Sequence, residues 1–201
     1  MKKNKNALKK MSETLPTLES TDDVVVYALD ETSVSVESNN RLSWSPLGHP
    51  HVLQKNASHD GVNIIGATEI LKGSHAVVDV YNSEKTITSV ETIDFLKYLI
   101  SINPDKMVYV IWDNAKFHTS KAVREFLQFK DEEISVIYLP RYSPYMNPQE
   151  NIWNWLKSNL YKPAARKSID ELISDISDIF SELNSNQGRI YSLSYASKFL
   201  V

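Results

Sequence analysis

The chain has 201 residues, of which 42% are hydrophobic and 23% are charged, a balance typical of a globular domain. It has no apolar run of about 18 residues, which argues against a membrane span, and no apolar stretch after its lysine-rich start, which argues against a secretory signal. It has no cysteine, which excludes disulfides and thiolate metal sites and favours a cytoplasmic protein. The net charge of −3 is unlike that of a stand-alone DNA-binding module, which is usually basic, although a metal-dependent nuclease with clustered acidic ligands is a partial exception.

A polar leader at residues 1–21 precedes the predicted folded domain at residues 22–201. The leader is rich in lysine, and its apolar residues are loosely spaced as in a short amphipathic helix. These apolar residues are Ala7, Leu8, Met11 and Leu15. The pattern favours a solvated helix or a frayed tail over a contact with a DNA backbone.

Three apolar segments near the start of the domain predict successive β-strands. Residues 24–29 form a continuous β-branched and apolar run, typical of a strand buried on both faces, and Asp30 and Glu31 are predicted to end it. Two further strands are predicted at residues 62–68 and 76–81. Three successive strands of this kind predict an antiparallel meander.

Helices and strands alternate through the rest of the chain. The first predicted helix opens with a capping box of Thr88 and Glu91, and the last opens with one of Ser168 and Glu171 before a regular apolar stripe. The predicted elements are a helix at 88–102, a strand at 107–112, a helix at 120–129, a strand at 135–139, a helix opening at Asn147-Pro148, and a helix at 168–183. This order predicts an α/β fold with a five-stranded mixed sheet flanked by helices.

Three acidic residues stand at the ends of predicted elements. Asp30 and Asp113 come just past the carboxyl ends of two strands, the edge where ligands usually bind in open α/β sheets, and Glu150 opens a helix. If the first and fourth strands are neighbours, the two aspartates meet at one edge and Glu150 can reach the same point. Carboxylate oxygens suit Mg²⁺ or Mn²⁺, and two such ions can activate the attacking oxygen of a phosphodiester reaction and stabilise the leaving one.

Each acid also has a purely structural interpretation. Asp30 could be a turn residue at a strand end, with Glu31 beside it as a competing ligand. Asp113 could form an Asx-type turn with the residues that follow it. Glu150 stands three residues after Asn147 and could complete a capping box there. Position alone leaves these alternatives open.

The residues around the acids resemble the motifs of a known family. Residues 113–123 (DNAKFHTSKAV) are very similar to the second-acid motif of mariner-superfamily transposases, and residues 139–153 (LPRYSPYMNPQENIW) to their third-acid motif. The 36 residues between Asp113 and Glu150 are close to the spacing in that superfamily. Residues 27–33 (YALDETS) resemble the first-acid block of its insertion-sequence branch.

The resemblance implies a ribonuclease-H-like fold and a DDE-type reaction, in which DNA is cut at the ends of an element and a 3′-hydroxyl then attacks target DNA. It implies that Asp30, Asp113 and Glu150 hold two Mg²⁺ or Mn²⁺ ions. Asn114 and His118 belong to the matching second motif and would either support these ligands or contact DNA. The other interpretation of His118 is a partly exposed residue at a helix start.

Partners follow from the same resemblance. Double-stranded DNA is the expected substrate, which implies a protein of the cytoplasm that associates with the nucleoid. Full-length relatives carry helix-turn-helix modules before the catalytic domain, so such a module is predicted to be separate or missing here. Arg141, Tyr142 and Lys157 could line a DNA channel or belong to a solvated helix face, and we favour the channel. Whether the chain forms a homodimer is left open.

The sequence departs from the family pattern at two positions. Members often carry an acid at the position of Tyr145 and an aliphatic residue at that of Gln149, and neither departure is expected to abolish metal binding. Two other functions remain open besides an active transposase. One is a catalytically silent remnant or accessory DNA-binding protein, and the other is a ribonuclease-H-like nuclease that acts on RNA–DNA hybrids.

Overall fold

The computed structural model describes residues 18, 21–37, 45–49, 58–141, 143–162 and 165–194. Within these ranges a central sheet is flanked by helices. The strands are β1 (Val24–Ser35), β2 (Gly61–Glu69), β3 (Ala76–Asn82), β4 (Met107–Trp112) and β5 (Ile134–Tyr138). The helices are α1 (Ser89–Ser101), α2 (Lys121–Phe129), α3 (Gln149–Asn159), α4 (Ile169–Asn184) and α5 (Gln187–Ser194), with a 3₁₀ turn at Pro144–Met146 before α3.

The sheet is mixed and five-stranded, as the sequence predicts. Its order is β3-β2-β1-β4-β5; the first three strands pair antiparallel, and β1 pairs parallel with β4, which pairs parallel with β5. The predicted meander is therefore present, and the first and fourth strands are neighbours, which is the condition under which the sequence brings Asp30 and Asp113 to one edge. The parallel pairing places the carboxyl ends of β1 and β4 at one edge.

Helices cover both faces of the sheet because its strands alternate in side-chain direction. On one face, Tyr27, Leu29 and Val110 pack with residues of α1 and α2. On the other face, β2 and β3 contact α3, α4 and α5, where Ile64 packs with Trp153. No helix in the part of the chain that the structure describes is long and apolar enough to cross a membrane.

A third apolar cluster lies where β1 and β4 meet the loops around their carboxyl ends. Val26, Ala28 and Ile111 pack there with Leu139 and Met146, from the segment between β5 and α3. This packing anchors the segment that leads into Glu150. Leu18 of the predicted leader also belongs to the cluster; apart from it and Thr21, the leader lies outside the described residues.

The prediction that Asp30 and Glu31 end the first strand is wrong. β1 continues to Ser35 because its antiparallel pairing with β2 extends from Tyr27 to Ser35, although its parallel pairing with β4 stops at Ala28. Asp30 therefore lies where β4 has ended and β2 still holds β1. This leaves one side of β1 open at the acidic residue.

The two predicted capping boxes have different outcomes. Thr88 and Glu91 form both reciprocal contacts at the start of α1. At α4, Ser168 accepts from the Glu171 backbone N–H, but the Glu171 carboxylate accepts from the backbone N–H of Lys167. The second box is therefore only half formed, because the glutamate carboxylate contacts the residue before the cap.

Candidate active site

Asp30, Asp113 and Glu150 line one cleft at the carboxyl ends of β1 and β4. The cleft encloses about 570 Å³, and its walls also include Asn114 and Arg141. Asp30 comes from β1, Asp113 directly follows β4, and Glu150 lies in the first turn of α3. Three side chains that are up to 120 positions apart in the sequence thus face the same space.

Asp30 is the acid whose ionisation is most disturbed. Burial raises its pKa to about 7, and the nearby carboxylates of Glu31, Glu150 and Asp113 add to the rise. Burial and like charges both oppose a negative charge at this position. Near neutral pH, a proton or a cation therefore stabilises the Asp30 carboxylate by neutralising its negative charge.

Asp113 is held in place by two hydrogen bonds to the same carboxylate oxygen. Its Oδ1 lies 2.8 Å from Nδ1 of His118 and accepts from the Ala115 backbone N–H at 2.8 Å. The contact with His118 lowers the pKa of Asp113, although partial burial opposes this. The Ala115 contact is the Asx-type turn that the sequence suggested, and it leaves Asp113 54% exposed. The turn and a role in the cleft are thus compatible.

His118 is fully buried and links two carboxylates. Its ring stacks on Trp112 with 4.3 Å between centroids, and its Nε2 lies 3.0 Å from Oε1 of Glu31. Burial lowers its pKa, but hydrogen bonds to Asp113 and Glu31 outweigh burial and raise the pKa to about 9. The alternative of a partly exposed histidine is wrong, because the side chain is 0% exposed. Glu31, the competing ligand suggested by the sequence, faces this histidine.

The other residues predicted to surround the acids have different environments. Asn114 donates through Nδ2 to the Leu139 carbonyl, which ties the end of β4 to the segment after β5. Arg141 is exposed at the cleft. Lys157 is half-buried on α3, two turns beyond Glu150. Tyr142 lies outside the described residues.

The predicted capping box of Asn147 and Glu150 is not formed. Oδ1 of Asn147 accepts from the Gln149 backbone N–H, and its Nδ2 donates to the Leu29 carbonyl of β1 at 2.9 Å. Pro148 occupies the cap position of α3 and makes no side-chain capping bond. Asn147 thus fastens the start of α3 to β1, so it is the sheet that locates Glu150.

The described ranges contain no group of three or more histidine or acidic side chains already arranged to hold a metal ion. In the absence of cations, burial and like charges both disfavour ionised carboxylates here, and burial is the larger cause of the raised pKa of Asp30. The three acids share the cleft but do not form a preassembled cluster.

Several residues that line the cleft were not predicted as site residues from the sequence, and two of them are polar members of the second motif. Lys116 and Thr119 face the same space as Asp113. The sequence could have indicated both Lys116 and Thr119, because they lie within the second motif, three and six residues after Asp113. Lys116 is an exposed cation beside three carboxylates, which suits contact with an anionic substrate.

Comparison with known families identifies the chain. The model of the DDE superfamily endonuclease family matches residues 25–173, a span that includes Asp30, Asp113 and Glu150. The chain belongs to this family. The family prediction made from the motifs is therefore confirmed, and the family is one of DNA-cutting enzymes. No curated protein matches the chain significantly.

Solved structures show that the fold is that of a transposase catalytic domain. A Mos1 strand transfer complex superposes with a TM-score of 0.75 at 15% identity, covering 99% of this chain and 59% of that one. The catalytic domain of Mos1 mariner transposase gives 0.65 at 14% identity, covering 98% and 90%. A Mos1 mariner paired-end complex with Mn gives 0.67 at 15%, covering 95% and 59%. The predicted ribonuclease-H-like fold is confirmed, and this chain spans about three fifths of the first Mos1 protein.

The raised pKa of Asp30 predicts how metal-free stability depends on pH. Because the folded pKa of about 7 exceeds the ordinary 3.8, the contribution of Asp30 to stability is fully present below pH 3.8 and is lost as the pH rises through 7. Asp30→Asn should remove this loss and raise the free energy of unfolding at pH 8 by on the order of 1–3 kcal/mol. Urea unfolding in EDTA at pH 5 and pH 8 measures the effect. Equal pH dependence of the two proteins would contradict it.

Proposed function

We propose that this chain is the catalytic domain of a DNA transposase that cuts double-stranded DNA at the ends of an element and joins them to target DNA. The main support is the convergence of Asp30, Asp113 and Glu150 in one cleft of a DDE-family fold. In the first step, water attacks a phosphodiester and releases a 3′-hydroxyl. In the second, that hydroxyl attacks a target phosphodiester and displaces the adjacent 3′ oxygen.

The donor set fits two Mg²⁺ or Mn²⁺ ions. Asp30, Asp113 and Glu150 offer only carboxylate oxygens, which both ions prefer. Burial, and then the neighbouring carboxylates, raise the pKa of Asp30, and a bound cation would offset both effects. When bound, the ions supply Lewis-acid activation of the attacking oxygen and stabilise the leaving oxygen. Oδ2 of Asp113 has no hydrogen-bonding partner among the described residues, so it is available as a ligand atom.

The residues around the acids hold them in orientation. His118 fixes one oxygen of Asp113 and carries protons on both ring nitrogens while it faces Asp113 and Glu31. Asn147 fastens α3 to Leu29, which precedes Asp30 in β1. These contacts limit how far the acids can rotate, and such restraint favours a productive geometry over many unproductive ones.

Positive side chains at the cleft suit the phosphate backbone of DNA. Lys116 and Arg141 are exposed at its walls, and neither has a carboxylate partner within the described residues. Arg141 can bind a phosphate with two parallel hydrogen bonds, and Lys116 can act as a point charge. Lys157 and Tyr142 would extend this contact along the DNA, as the third motif suggests.

End recognition requires further protein surface. The Mos1 relatives were solved as strand transfer and paired-end complexes, and this chain covers 59% of the first of them. We infer that a helix-turn-helix module, on another polypeptide or on a segment outside these 201 residues, recognises the DNA ends at the nucleoid. The paired ends in the Mos1 complexes favour a homodimer, in which two copies of this chain act together.

A substrate comparison tests the proposal. At a high DNA concentration, where cutting does not depend on recognition of the element ends, the chain with Mn²⁺ should cleave duplex DNA and join pre-formed 3′-hydroxyl ends to a plasmid, whereas Glu150→Gln should do neither. Cleavage confined to RNA–DNA hybrids would identify a ribonuclease-H-like nuclease instead. DNA binding without cleavage by the wild-type protein would identify a catalytically silent remnant.

A further inference from the structure

A glycine of β2 lies directly beside Asp30. Gly66 is the register partner of Asp30 in the antiparallel pair of β1 and β2, and directly paired residues project from the same face of a sheet. A Cβ atom on Gly66 would lie 2.5 Å from Cη2 of Trp153, 3.1 Å from its Cζ2 and 3.0 Å from Cγ1 of Val78, so its shortest contact is with the indole. The outer ring of the indole therefore occupies the place that a side chain at position 66 would take next to Asp30.

Trp153 connects this contact to Glu150. It follows Glu150 by three residues in α3, so the two side chains are neighbours on adjacent turns of the helix. The indole is 1% exposed, and its Nε1 has no hydrogen-bonding partner in the described part of the chain. Trp153 therefore acts here through its shape, which fixes how closely α3 approaches β2.

A second contact between β2 and α3 lies two residues away along the strand and about one turn away along the helix. The hydroxyl of Thr68 donates to Oε1 of Gln149 at 2.7 Å, and both side chains are fully buried. Thr68 is two residues from Gly66 and so shares its face of the strand, whereas Gln149 is four residues before Trp153 on the helix. These two contacts hold the turn of α3 that carries Glu150.

We propose that Gly66 and Trp153 are positioning residues that set the separation between the carboxylates of Asp30 and Glu150. Carbon atoms in contact normally lie about 3.5–4.0 Å apart, so any side chain at position 66 must displace the indole, and α3 with it, by about 1 Å. Ligands of Mg²⁺ must lie within a few tenths of an ångström of about 2.1 Å from the ion, so a displacement of that size disrupts a shared site. The inference rests on the proposed metal-dependent function.

Gly66→Ala tests the proposal through metal binding as well as activity. The variant should bind Mn²⁺ at least about 10-fold more weakly by calorimetry, and the turnover of DNA cleavage should fall about 100-fold with little change in the KM for DNA. Gly66→Ala combined with Trp153→Phe should bind Mn²⁺ at least about threefold more tightly than Gly66→Ala alone, because the shorter ring leaves space for the new methyl group. Gly188→Ala is the matched control, since a Cβ there meets only Oδ1 of Asn186 at 3.6 Å.

Several outcomes would overturn the proposal. One is wild-type affinity for Mn²⁺ in Gly66→Ala; another is the absence of recovery in the double variant. If Gly66→Ala does not fold, Trp153→Phe alone carries the test, because loosening α3 should weaken Mn²⁺ binding at least threefold, and unchanged affinity would then reject the proposal. A wild-type protein that neither binds Mn²⁺ nor cuts DNA would instead reject the proposed function, and this inference with it.

Discussion

Asp113→Asn should lower the rate of Mn²⁺-dependent DNA cleavage by at least about 10³-fold, since a bound metal contributes several kcal/mol to the stabilisation of the transition state. The amide keeps the shape of the carboxylate but loses its charge and is a poorer ligand. It also changes the contact with His118, whose Nδ1 now lies 2.8 Å from Oδ1 of Asp113. Single-turnover cleavage of a labelled duplex measures the effect.

Asp131→Asn is the matched control for this variant. Asp131 is an exposed aspartate in the turn between α2 and β5, outside the residues that line the cleft. Its replacement removes the same charge from the chain and should leave the cleavage rate unchanged. An Asp113→Asn protein that folds and cuts DNA at the wild-type rate would remove Asp113 from the active site.

Saturating Mn²⁺ should raise the melting temperature of the wild-type protein by about 5–10 °C. A ligand at 100 times its dissociation constant stabilises the folded state by about 2.7 kcal/mol, and about 1 kcal/mol shifts the melting temperature of a domain of this size by about 2–4 °C. The gain should be larger at pH 8 than at pH 6, because the pKa of Asp30 lies near 7 in the metal-free protein and a proton competes with the ion.

The same measurement on Asp30→Asn separates metal binding at the cleft from general salt effects. This variant should melt higher than the wild type without metal at pH 8, because the buried charge is gone, yet gain little on addition of Mn²⁺. Na⁺ at matched ionic strength controls for screening. An equal Mn²⁺-dependent shift in both proteins would show that the ion binds elsewhere.

The strands of the sheet were predictable from local patterns, but the adjacency of the first and fourth strands was only a condition of the prediction. The continuous apolar runs that end near Asp30 and Asp113 are typical of buried parallel strands, and they indeed pair in the structure. The end of β1 could not be predicted in the same way. Its extension to Ser35 depends on pairing with β2, which lies at a distance in the chain and whose register no local pattern reveals. The sequence also does not predict α5, which is short and rich in polar residues.

The contents of the cleft were predictable only in part. The motifs pointed to the three acids, but not to the burial of His118, because its stacking partner Trp112 and its second carboxylate partner Glu31 come from two different strands. Gln149, which stands where family members often carry an aliphatic residue, also has an environment that depends on a residue distant in the sequence. Thr68 of β2 donates its hydroxyl to Oε1 of the buried amide, whereas Nε2 of Gln149 is buried without a hydrogen-bond partner in the described part of the chain.

The motif alone did not predict the structural environments of Tyr145 and Glu150. Tyr145, where relatives often carry an acid, is exposed and places no constraint on the cleft. Glu150 could have been merely a capping residue by sequence, but Asn147 bonds to Leu29 and to the Gln149 backbone instead. The position of Glu150 therefore follows from the contact between its neighbour Asn147 and strand β1.

Anomalous diffraction from crystals grown with Mn²⁺ is the most direct test that distant acids converge to hold metal. Two peaks about 3.5–4 Å apart, each within about 2.5 Å of oxygens from Asp30, Asp113 or Glu150, are the predicted result. Absence of peaks between these side chains at saturating Mn²⁺, or ions bound only at other surfaces, would contradict the account.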